Sequence, residues 1–277
     1  MIKIFIAGSS GYIGQELTTF LKKKEGFELH ACYYRNRILK NTEKGLYTHK
    51  IDLTKKKAIK KLQKINPDLI INLAAFTNPA RNELNPKKSF NENVIINGHL
   101  IDYCVANNKK IIFTSTDKVY SGVTKSPSEN NDLNPNNIYG INKLKCEKEI
   151  KQKLKKYLIF RYASAYSEIK NTNKNFINKQ VNNIRKKKKV YLATNIYRLF
   201  ISTEYLCAII FECIKNKWTG TYNIGSVASN YHNLVNSICK KKNISTKGLL
   251  FRTTVLANPQ FLIPSTKKIN NLIKKNI

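Results

Sequence analysis

The sequence predicts a doubly wound α/β fold, in which helices cover both faces of a parallel sheet. Three observations support this fold class. From Ile2 to Ala163, short apolar runs alternate with Lys- and Asn-rich segments of helical pattern. The runs are rich in Ile, Leu and Phe and do not alternate with polar residues, as in strands that are buried on both faces. The first run also leads directly into a glycine-rich turn.

The predicted strands follow one another along the chain as "IKIFIAG", "FELHACYY", "LYTHKID", "DLIINLA", "KIIFTST" and "YLIFRYA". The segments between them supply the helices that right-handed crossovers between parallel strands require. After about Ser164 the pattern loosens into a helical stretch, "KVYLAT", a helix around Thr203 to Lys217, "TYNIGS" and a short C-terminal lobe. We therefore expect a main domain over residues 1–165, to which residues 190–217 approximately return, and a small lobe over residues 166–189 and 218–277.

Length and composition exclude several classes of protein. The chain has 277 residues, of which 42% are hydrophobic, enough for a substantial core. It has no run of about 18 apolar residues to cross a bilayer, and its apolar start is too short for a signal peptide. Six scattered cysteines without metal-ligand spacing fit a reducing compartment. We expect a cytoplasmic protein without a membrane partner or a metal.

The formal net charge of +33 raises the alternative of nucleic-acid binding. The lysines are spread over most predicted surface helices, and they accompany abundant Asn and Ile, which AT-rich codons also favour. The only dense run is "RKKKK" at residues 185–189, whereas a nucleic-acid footprint clusters its charge on one face. We expect no nucleic-acid partner, and we expect the charge to attract small anions.

The first predicted strand ends in "AGSSGYIG", which places Gly8, Gly11 and Gly14 in the spacing G-x-x-G-x-x-G. Glycines here allow a tight turn, a close approach of backbone amides to a pyrophosphate, and close packing of the next helix, whose N-terminus attracts phosphates. Directly after the first strand of a βαβ unit, the motif predicts a dinucleotide bound by a Rossmann fold. Tyr12 and Ile13, inside the motif, are included among the expected cofactor contacts.

The end of the second strand indicates which dinucleotide is bound. An acidic residue for the ribose of NAD is expected here, but residues 33–37 read Tyr-Tyr-Arg-Asn-Arg. Arg35 and Arg37 are suited to a 2′-phosphate, so NADP is favoured over NAD; the alternative, two ordinary basic loop residues, stays open. Asp52 and Leu53 end the third strand, where an adenine would lie.

Two further segments supply the chemistry. The fifth strand ends in the hydroxyls of Thr114, Ser115 and Thr116, at the sheet edge where doubly wound folds bind ligands. In "NIYGINKLKCE", Tyr139 and Lys143 are four residues apart and share one helical face. On its own this pair is common on surface helices. Together with the glycine motif, however, the set resembles the extended short-chain dehydrogenase/reductase family (the NAD-dependent epimerase/dehydratase superfamily).

The resemblance implies an oxidoreductase that acts on a ketone or alcohol group. Thr116, Tyr139 and Lys143 would be catalytic, Ser115 and Thr116 would contact the substrate, and Tyr139 and Lys143 would also contact the cofactor. In this family the hydroxyl and the tyrosine hold a carbonyl, which receives a hydride on carbon and the tyrosine proton on oxygen. Lysine lowers the pKa of the tyrosine and reaches the nicotinamide ribose. The main domain would then bind NAD(P) and the small lobe the substrate.

Within the family, "INLAAFTNPARNE", "STDKVYSG" and "NIYGINKLKCE" are most similar to the dTDP-4-dehydrorhamnose reductases. This resemblance implies further cofactor contacts at Ala74, Ala75, Thr77, Asn93, Tyr162 and Ala163. Ser164 would lie near the substrate, and Arg198, in a phrase more like the epimerases, would touch its diphosphate. Asn142 stands where the reductases have serine, and Lys118 stands where a 4,6-dehydratase needs glutamate.

The function expected from this resemblance is NADPH-dependent reduction of the 4-keto group of a nucleotide-linked deoxysugar, as in dTDP-rhamnose and polysaccharide biosynthesis. Two alternatives stay open. One is an epimerase that retains NAD, and the other is a non-catalytic regulatory member that binds NADP. The identity of the sugar and nucleotide, and whether the chain forms a homodimer, also stay open.

Overall fold

The computed structural model describes residues 1–36, 45–122, 126–170, 172–255 and 260–276. These residues form two compact units. Unit 1 comprises residues 1–121, 132–161 and 209–222, and unit 2 comprises residues 122–131, 162–208 and 223–277 outside the undescribed positions.

The strands are β1 (Ile2–Ala7), β2 (Phe27–Tyr33), β3 (Leu46–Lys50), β4 (Leu69–Asn72), β5 (Lys110–Thr114), β6 (Tyr157–Arg161), β7 (Ala165–Tyr166), β8 (Val190–Ala193), β9 (Ile196–Ser202), β10 (Gly220–Asn223), β11 (Val227–Asn230), β12 (Leu250–Thr253) and β13 (Gln260–Leu262). The α-helices are α1 (Tyr12–Lys22), α2 (Ala58–Ile65), α3 (Pro79–Leu84), α4 (Pro86–Phe90), α5 (Ile96–Ala106), α6 (Ile138–Lys153), α7 (Phe176–Arg185), α8 (Thr203–Lys215), α9 (Tyr231–Lys241) and α10 (Lys267–Asn276). A π-helical turn spans Asn91–Ile95, and a 3₁₀ turn spans Asp117–Val119.

Unit 1 is built on a seven-stranded sheet in the order β10-β6-β5-β4-β1-β2-β3 among the described residues. The pairs from β3 through β6 are all parallel. This confirms the predicted doubly wound fold. β4 is buried at every residue, which explains its continuous apolar run. The direction of winding reverses between β1 and β4, so the carboxyl ends of these strands form the crevice in which such folds bind ligands.

The core of unit 1 lies between the sheet and its helices. Phe5, Ile70 and Phe113 on neighbouring strands pack with Leu100 of α5 and Cys146 of α6, and all five are buried. The crossover helices therefore hold the carboxyl ends of the strands in place on one side of the sheet.

Unit 2 has smaller sheets and a core of its own. β9 pairs with β7, β11 and β13, and β8 pairs in parallel with β12. Ile177 and Val181 of α7 pack with Leu234 and Ile238 of α9 in the core of the unit. The observed division differs from the expected one: residues 122, 126–131, 162–165 and 190–208 lie in unit 2, and residues 218–222 lie in unit 1. Residues 190–202 lie in unit 2 because β8 and β9 pair only with strands of that unit among the described residues. Residues 209–222 belong to unit 1.

The described residues contain no helix with both the length and the apolarity required to cross a bilayer. Over the same residues, no group of three or more His, Cys, Asp or Glu side chains is arranged to hold a metal ion.

Candidate active site

The glycine turn between β1 and α1 is required by close backbone packing. Gly8 has a φ of +77°, and a Cβ atom there would lie 2.7 Å from the Ala74 nitrogen. A Cβ atom at Gly14 would collide with the Gly8 carbonyl and lie 2.7 Å from the Ser9 Cα. Because these contacts involve backbone atoms, no side-chain movement relieves them. The turn therefore holds the start of α1 close to the end of β4.

The N-terminus of α1 is suited to an anion. Gly11 is the N-cap residue with extended backbone, and as a glycine it supplies no side-chain cap. The helix dipole favours negative charge at this end of α1. This is the arrangement predicted from the G-x-x-G-x-x-G spacing.

A cleft with a volume of about 1000 Å³ extends from this turn along the carboxyl ends of β1, β2 and β4. Its size and shape fit a dinucleotide, since the glycine turn borders one part and basic side chains border another. Among the predicted cofactor residues, its lining includes Gly8, Gly11, Arg35, Asp52, Leu53, Ala74 and Ala75. Those of unit 1 that lie outside its lining are Tyr12, Ile13, Gly14, Thr77, Asn93, Tyr139 and Lys143.

Arg35 lies at the rim of the cleft, directly after β2. Its guanidinium is 3.4 Å from the Glu92 carboxylate and 5.9 Å from the centre of the Tyr34 ring. The Lys88 ammonium lies 3.9 Å from the same Glu92 oxygen. The Glu92 carboxylate therefore contacts both the Arg35 and the Lys88 cations at the rim, and of these three residues the sequence predicted only Arg35. Arg37, the other predicted contact, lies outside the described residues.

Asp52 lies at the inner end of this rim. Its carboxylate accepts hydrogen bonds from the Thr54 backbone amide at 3.0 Å and from the Thr54 hydroxyl at 2.6 Å. Partial burial works to raise the pKa of Asp52, but the contacts with Thr54 outweigh it and hold the pKa below its ordinary value. Asp52 is thus an ionised hydrogen-bond acceptor in the cleft.

The predicted catalytic lysine lies at the carboxyl end of β5. The Lys143 ammonium donates a hydrogen bond to the Thr114 carbonyl at 2.8 Å and lies 4.5 Å from the centre of the Phe113 ring. It is also 5.8 Å from the centre of the Tyr139 ring. Burial lowers the pKa of Lys143 from 10.5 to about 8. The structure thus brings together the lysine, the tyrosine and the end of the fifth strand.

Hydrogen bonds at the start of α6 fix the position of Tyr139, the second residue of the helix. The Asn137 side chain caps the helix by accepting from the Gly140 amide at 2.9 Å, and Glu83 accepts from the Ile138 amide at 2.7 Å. A Cβ atom at Gly140 would collide with the Lys118 carbonyl. Glycine after Tyr139 therefore permits the first turn of α6 to pack against the 3₁₀ turn that follows Thr116.

The two predicted hydroxyls after β5 differ in what they contact. The Thr116 hydroxyl accepts from the Lys118 amide at 3.2 Å and donates to Asp117 at 3.3 Å, so it caps the 3₁₀ turn. The Ser115 hydroxyl donates to the Glu147 carboxylate at 2.5 Å. Both residues are buried. Ser115 is thus engaged in the interior of unit 1, whereas it was predicted to contact substrate.

Glu147 belongs to a buried ionic network that the sequence analysis did not identify. Its carboxylate accepts from the Arg161 guanidinium at 2.6 Å, and Arg161 also donates to the Tyr120 hydroxyl at 2.8 Å. Burial works to lower the pKa of Arg161, but the contacts with Glu147 outweigh it and hold the pKa above its ordinary value. In the sequence, the one indication of this network was the position of Glu147, an acidic residue four positions after Lys143. This network links α6 to the strand end beside Thr116.

Asn93 lies in a second buried network, which shapes the loop after β4. Its side chain accepts from the Phe76 amide at 2.9 Å and donates to the Phe76 carbonyl at 3.2 Å. It also donates to Asn82, which accepts a short hydrogen bond from Ser89. Asn142 donates to Ser89 at 2.7 Å. In this structure Asn93 and Asn142 therefore position the loop at residues 73–78, next to the glycine turn.

Four predicted site residues lie in unit 2. Tyr162 is buried, and Ala163 and Ser164 are half-buried. The Ser164 carbonyl accepts from the Ile201 amide at 3.3 Å. Arg198 is buried in β9, opposite Ser229 of β11 and Leu262 of β13. The cofactor contacts at Tyr162 and Ala163 stay predictions. The substrate contacts at Ser164 and Arg198 also stay predictions.

Known structures support the fold. A hypothetical dTDP-4-dehydrorhamnose reductase from Sulfolobus tokodaii superimposes with a TM-score of 0.83 at 23% identity, over 98% of this chain and 94% of that chain. A dTDP-4-dehydrorhamnose reductase from Bacillus anthracis, in complex with NADP, gives a TM-score of 0.81 at 20% identity, over 98% and 93%. At these identities the likeness shows the fold alone, and an epimerase and a dehydratase of sugar nucleotides superimpose equally well.

Sequence comparison identifies the family. The dTDP-4-dehydrorhamnose reductase of Aggregatibacter actinomycetemcomitans is 26% identical over 172 residues, which are 62% of this chain and 54% of that protein. The chain spans about half or less of the length of the curated relatives that it matches. The family model of the RmlD substrate binding domain matches residues 2–259, almost the whole chain. The protein therefore belongs to the RmlD substrate binding domain family.

Proposed function

We propose that this protein reduces the 4-keto group of a nucleotide-linked deoxysugar with NADPH. The observation that carries the proposal is the group formed by Lys143, Tyr139 and the end of β5. The Lys143 ammonium is buried, is hydrogen-bonded to the Thr114 carbonyl, and lies 5.8 Å from the centre of the Tyr139 ring. Membership of the RmlD substrate binding domain family supports the same reaction class.

In the proposed reaction the side chains of this chain position and protonate the ketone. The Tyr139 hydroxyl donates a proton to the carbonyl oxygen, and the nearby Lys143 ammonium stabilises the tyrosinate that remains. The Thr116 hydroxyl is a second donor toward the same oxygen once it leaves Asp117. NADPH, when bound, supplies the hydride for the carbonyl carbon. Oxygen thus gains a proton, carbon gains a hydride, and an alcohol forms.

The choice of NADPH rests on the rim of the cleft. Arg35 and Lys88 lie there, and a guanidinium suits a phosphate group through paired N–H donors. No acidic residue occupies positions 33–36 at the end of β2, where a carboxylate would bind the ribose hydroxyls of NAD. The Bacillus anthracis relative in complex with NADP supports the same assignment.

The experiment is a cofactor and substrate assay on the purified protein. NADPH oxidation is followed with dTDP- and UDP-linked 4-keto deoxysugars, and the sugar product is identified by NMR. We expect oxidation of NADPH to match formation of a 4-hydroxy sugar in a ratio of one to one. Tyr139→Phe, which retains the ring, is the control for background oxidation.

Other outcomes would favour the alternatives. Tightly retained NAD, with interconversion of two sugar epimers and no net oxidation, would show an epimerase. Binding of NADPH without turnover of any tested sugar, together with Tyr139→Phe indistinguishable from the unaltered protein, would favour a regulatory role.

A further inference from the structure

The Glu92 carboxylate lies between two cations at the rim of the cleft. Glu92 Oε1 lies 3.4 Å from Arg35 Nη2 and 3.9 Å from Lys88 Nζ, so one carboxylate contacts both cations. The Glu92 side chain is 26% exposed, and that of Arg35 is 65% exposed. All three residues line the cleft. An anion at this rim would therefore meet cations that already have a partner.

Glu92 lies in the π-helical turn that precedes α5. The Ile96 amide donates to the Asn91 carbonyl, five residues earlier, at the end of the turn. Within this turn, Asn91 and Glu92 line the cleft, and Asn93 and Val94 are buried. Single π-helical turns inserted in α-helices are often found at functional sites.

We propose that Glu92 reduces the preference for NADP over NAD by competing with the 2′-phosphate of NADP for Arg35. This inference rests on the proposed function, because it requires that the cleft bind an adenine dinucleotide with its 2′-position at Arg35. A 2′-phosphate carries a charge of about −1.5 to −2 at pH 7. It must displace Glu92 from the guanidinium and is also repelled by the carboxylate. Glu92 thus weakens the preference for NADPH that Arg35 creates.

The size of this effect follows from the exposure of the pair. Partly exposed ion pairs contribute little, because water and salt screen them. The 2′-phosphate can therefore displace Glu92 from Arg35. Its affinity for the rim is nevertheless lower than it would be if the residue at position 92 were neutral. Glu92→Gln retains the shape of the side chain and removes only the charge, so it isolates this contribution.

The test measures binding of two fragments by isothermal titration calorimetry. Adenosine 2′,5′-bisphosphate carries the 2′-phosphate, and 5′-AMP lacks it. We expect Glu92→Gln to raise the affinity for the bisphosphate by about two- to fivefold at low salt, relative to the affinity for 5′-AMP. This is the range for an exposed charge pair. The gain should shrink as ionic strength rises.

Two further variants identify the cause. Asp102→Asn removes a negative charge from a residue of α5 whose side chain is 55% exposed and which lies outside the lining of the cleft. It controls for net charge, and we expect no change in the ratio of the two affinities. Arg35→Ala should remove most of the preference for the bisphosphate. In the Arg35→Ala background, Glu92→Gln should give less than half of its original gain.

Each contrary result has a distinct meaning. If the unaltered protein binds neither fragment nor NADPH, the proposed function is wrong and this inference is wrong with it. If both fragments bind but Glu92→Gln leaves their affinity ratio unchanged, only the role of Glu92 is overturned. An undiminished gain in the Arg35→Ala background would also overturn it, because Glu92 would then act without Arg35.

Discussion

The Lys143 ammonium and the Thr114 carbonyl are joined by a hydrogen bond of 2.8 Å in the interior of unit 1. The bond ties the second turn of α6 to the carboxyl end of β5. Tyr139 precedes Lys143 by one helical turn. The hydrogen bond therefore holds both side chains at the edge of the sheet where ligands bind. Burial lowers the pKa of Lys143 to about 8, which costs stability, and buried groups with shifted pKa values cluster at functional sites.

Removing the Tyr139 hydroxyl should abolish most of the activity while leaving the fold intact. Tyr139→Phe retains the packed ring, and general acid catalysis typically contributes about 10²–10⁴-fold to the rate. We expect a loss of that size in turnover of an accepted 4-keto sugar, with little change in the affinity for NADPH or in the circular dichroism spectrum. Tyr47→Phe, at an exposed position of β3, is the matched control. Full turnover by folded Tyr139→Phe would contradict the mechanism.

Replacing Lys143 should stabilise the protein at pH 7 even as it removes activity. The pKa falls from 10.5 to about 8 on burial, and each unit corresponds to about 1.4 kcal/mol, so the charge costs about 3 kcal/mol. Lys143→Met removes this cost, although it also removes the bond to Thr114. We expect the free energy of unfolding in urea to rise by about 1–3 kcal/mol.

The advantage of Lys143→Met should depend on pH in a defined direction. Between pH 8 and 10.5 the unfolded state binds more protons at this lysine than the folded state does, so the unaltered protein gains stability as pH rises through that window. The difference between the two proteins should therefore narrow above pH 8. Lys145→Met, at an exposed position of the same helix, is the matched control variant. A difference that is constant from pH 7 to 10 would count against the lowered pKa.

Breaking the buried ion pair of Glu147 and Arg161 should be strongly destabilising. Both side chains are fully buried, and removing one partner leaves an uncompensated charge, which typically costs about 3–5 kcal/mol. We expect Glu147→Gln to lower the free energy of unfolding by that amount in urea titrations. Glu149→Gln breaks the partly exposed pair with Lys153 on the same helix and should have little effect. Equal effects of the two variants would refute the importance of burial.

The glycines of the chain should differ sharply in their tolerance of a methyl group. Gly14→Ala places a Cβ atom against the Gly8 carbonyl, and overpacking typically costs about 1–3 kcal/mol. It should also weaken NADPH binding by distorting the turn. At Gly98 of α5, no described atom lies within 4 Å of an added Cβ, so Gly98→Ala should stabilise the helix by about 0.5–1 kcal/mol. Thermal unfolding of both variants, with NADPH titration, tests the contrast.

The sequence by itself was sufficient to predict the fold class and the six strands β1 to β6. Strands β1, β4, β5 and β6 are largely apolar because most of their residues are buried, a local property that the residue pattern records. It was also sufficient to predict the glycine turn, because Gly8 and Gly14 meet backbone atoms that no side chain can replace. The pairing of Tyr139 with Lys143 followed from helical spacing alone.

Only the tertiary structure could identify the partners of the polar side chains. Glu147 meets Ser115 and Arg161 across gaps of 32 and 14 residues, and Glu92 meets Arg35 across 57 residues. No local pattern encodes such contacts, because they depend on how strands and helices pack after the chain has folded. Ser115 is an example. The resemblance to the family predicted a substrate contact for its hydroxyl, and in the structure this hydroxyl donates to the buried Glu147 carboxylate.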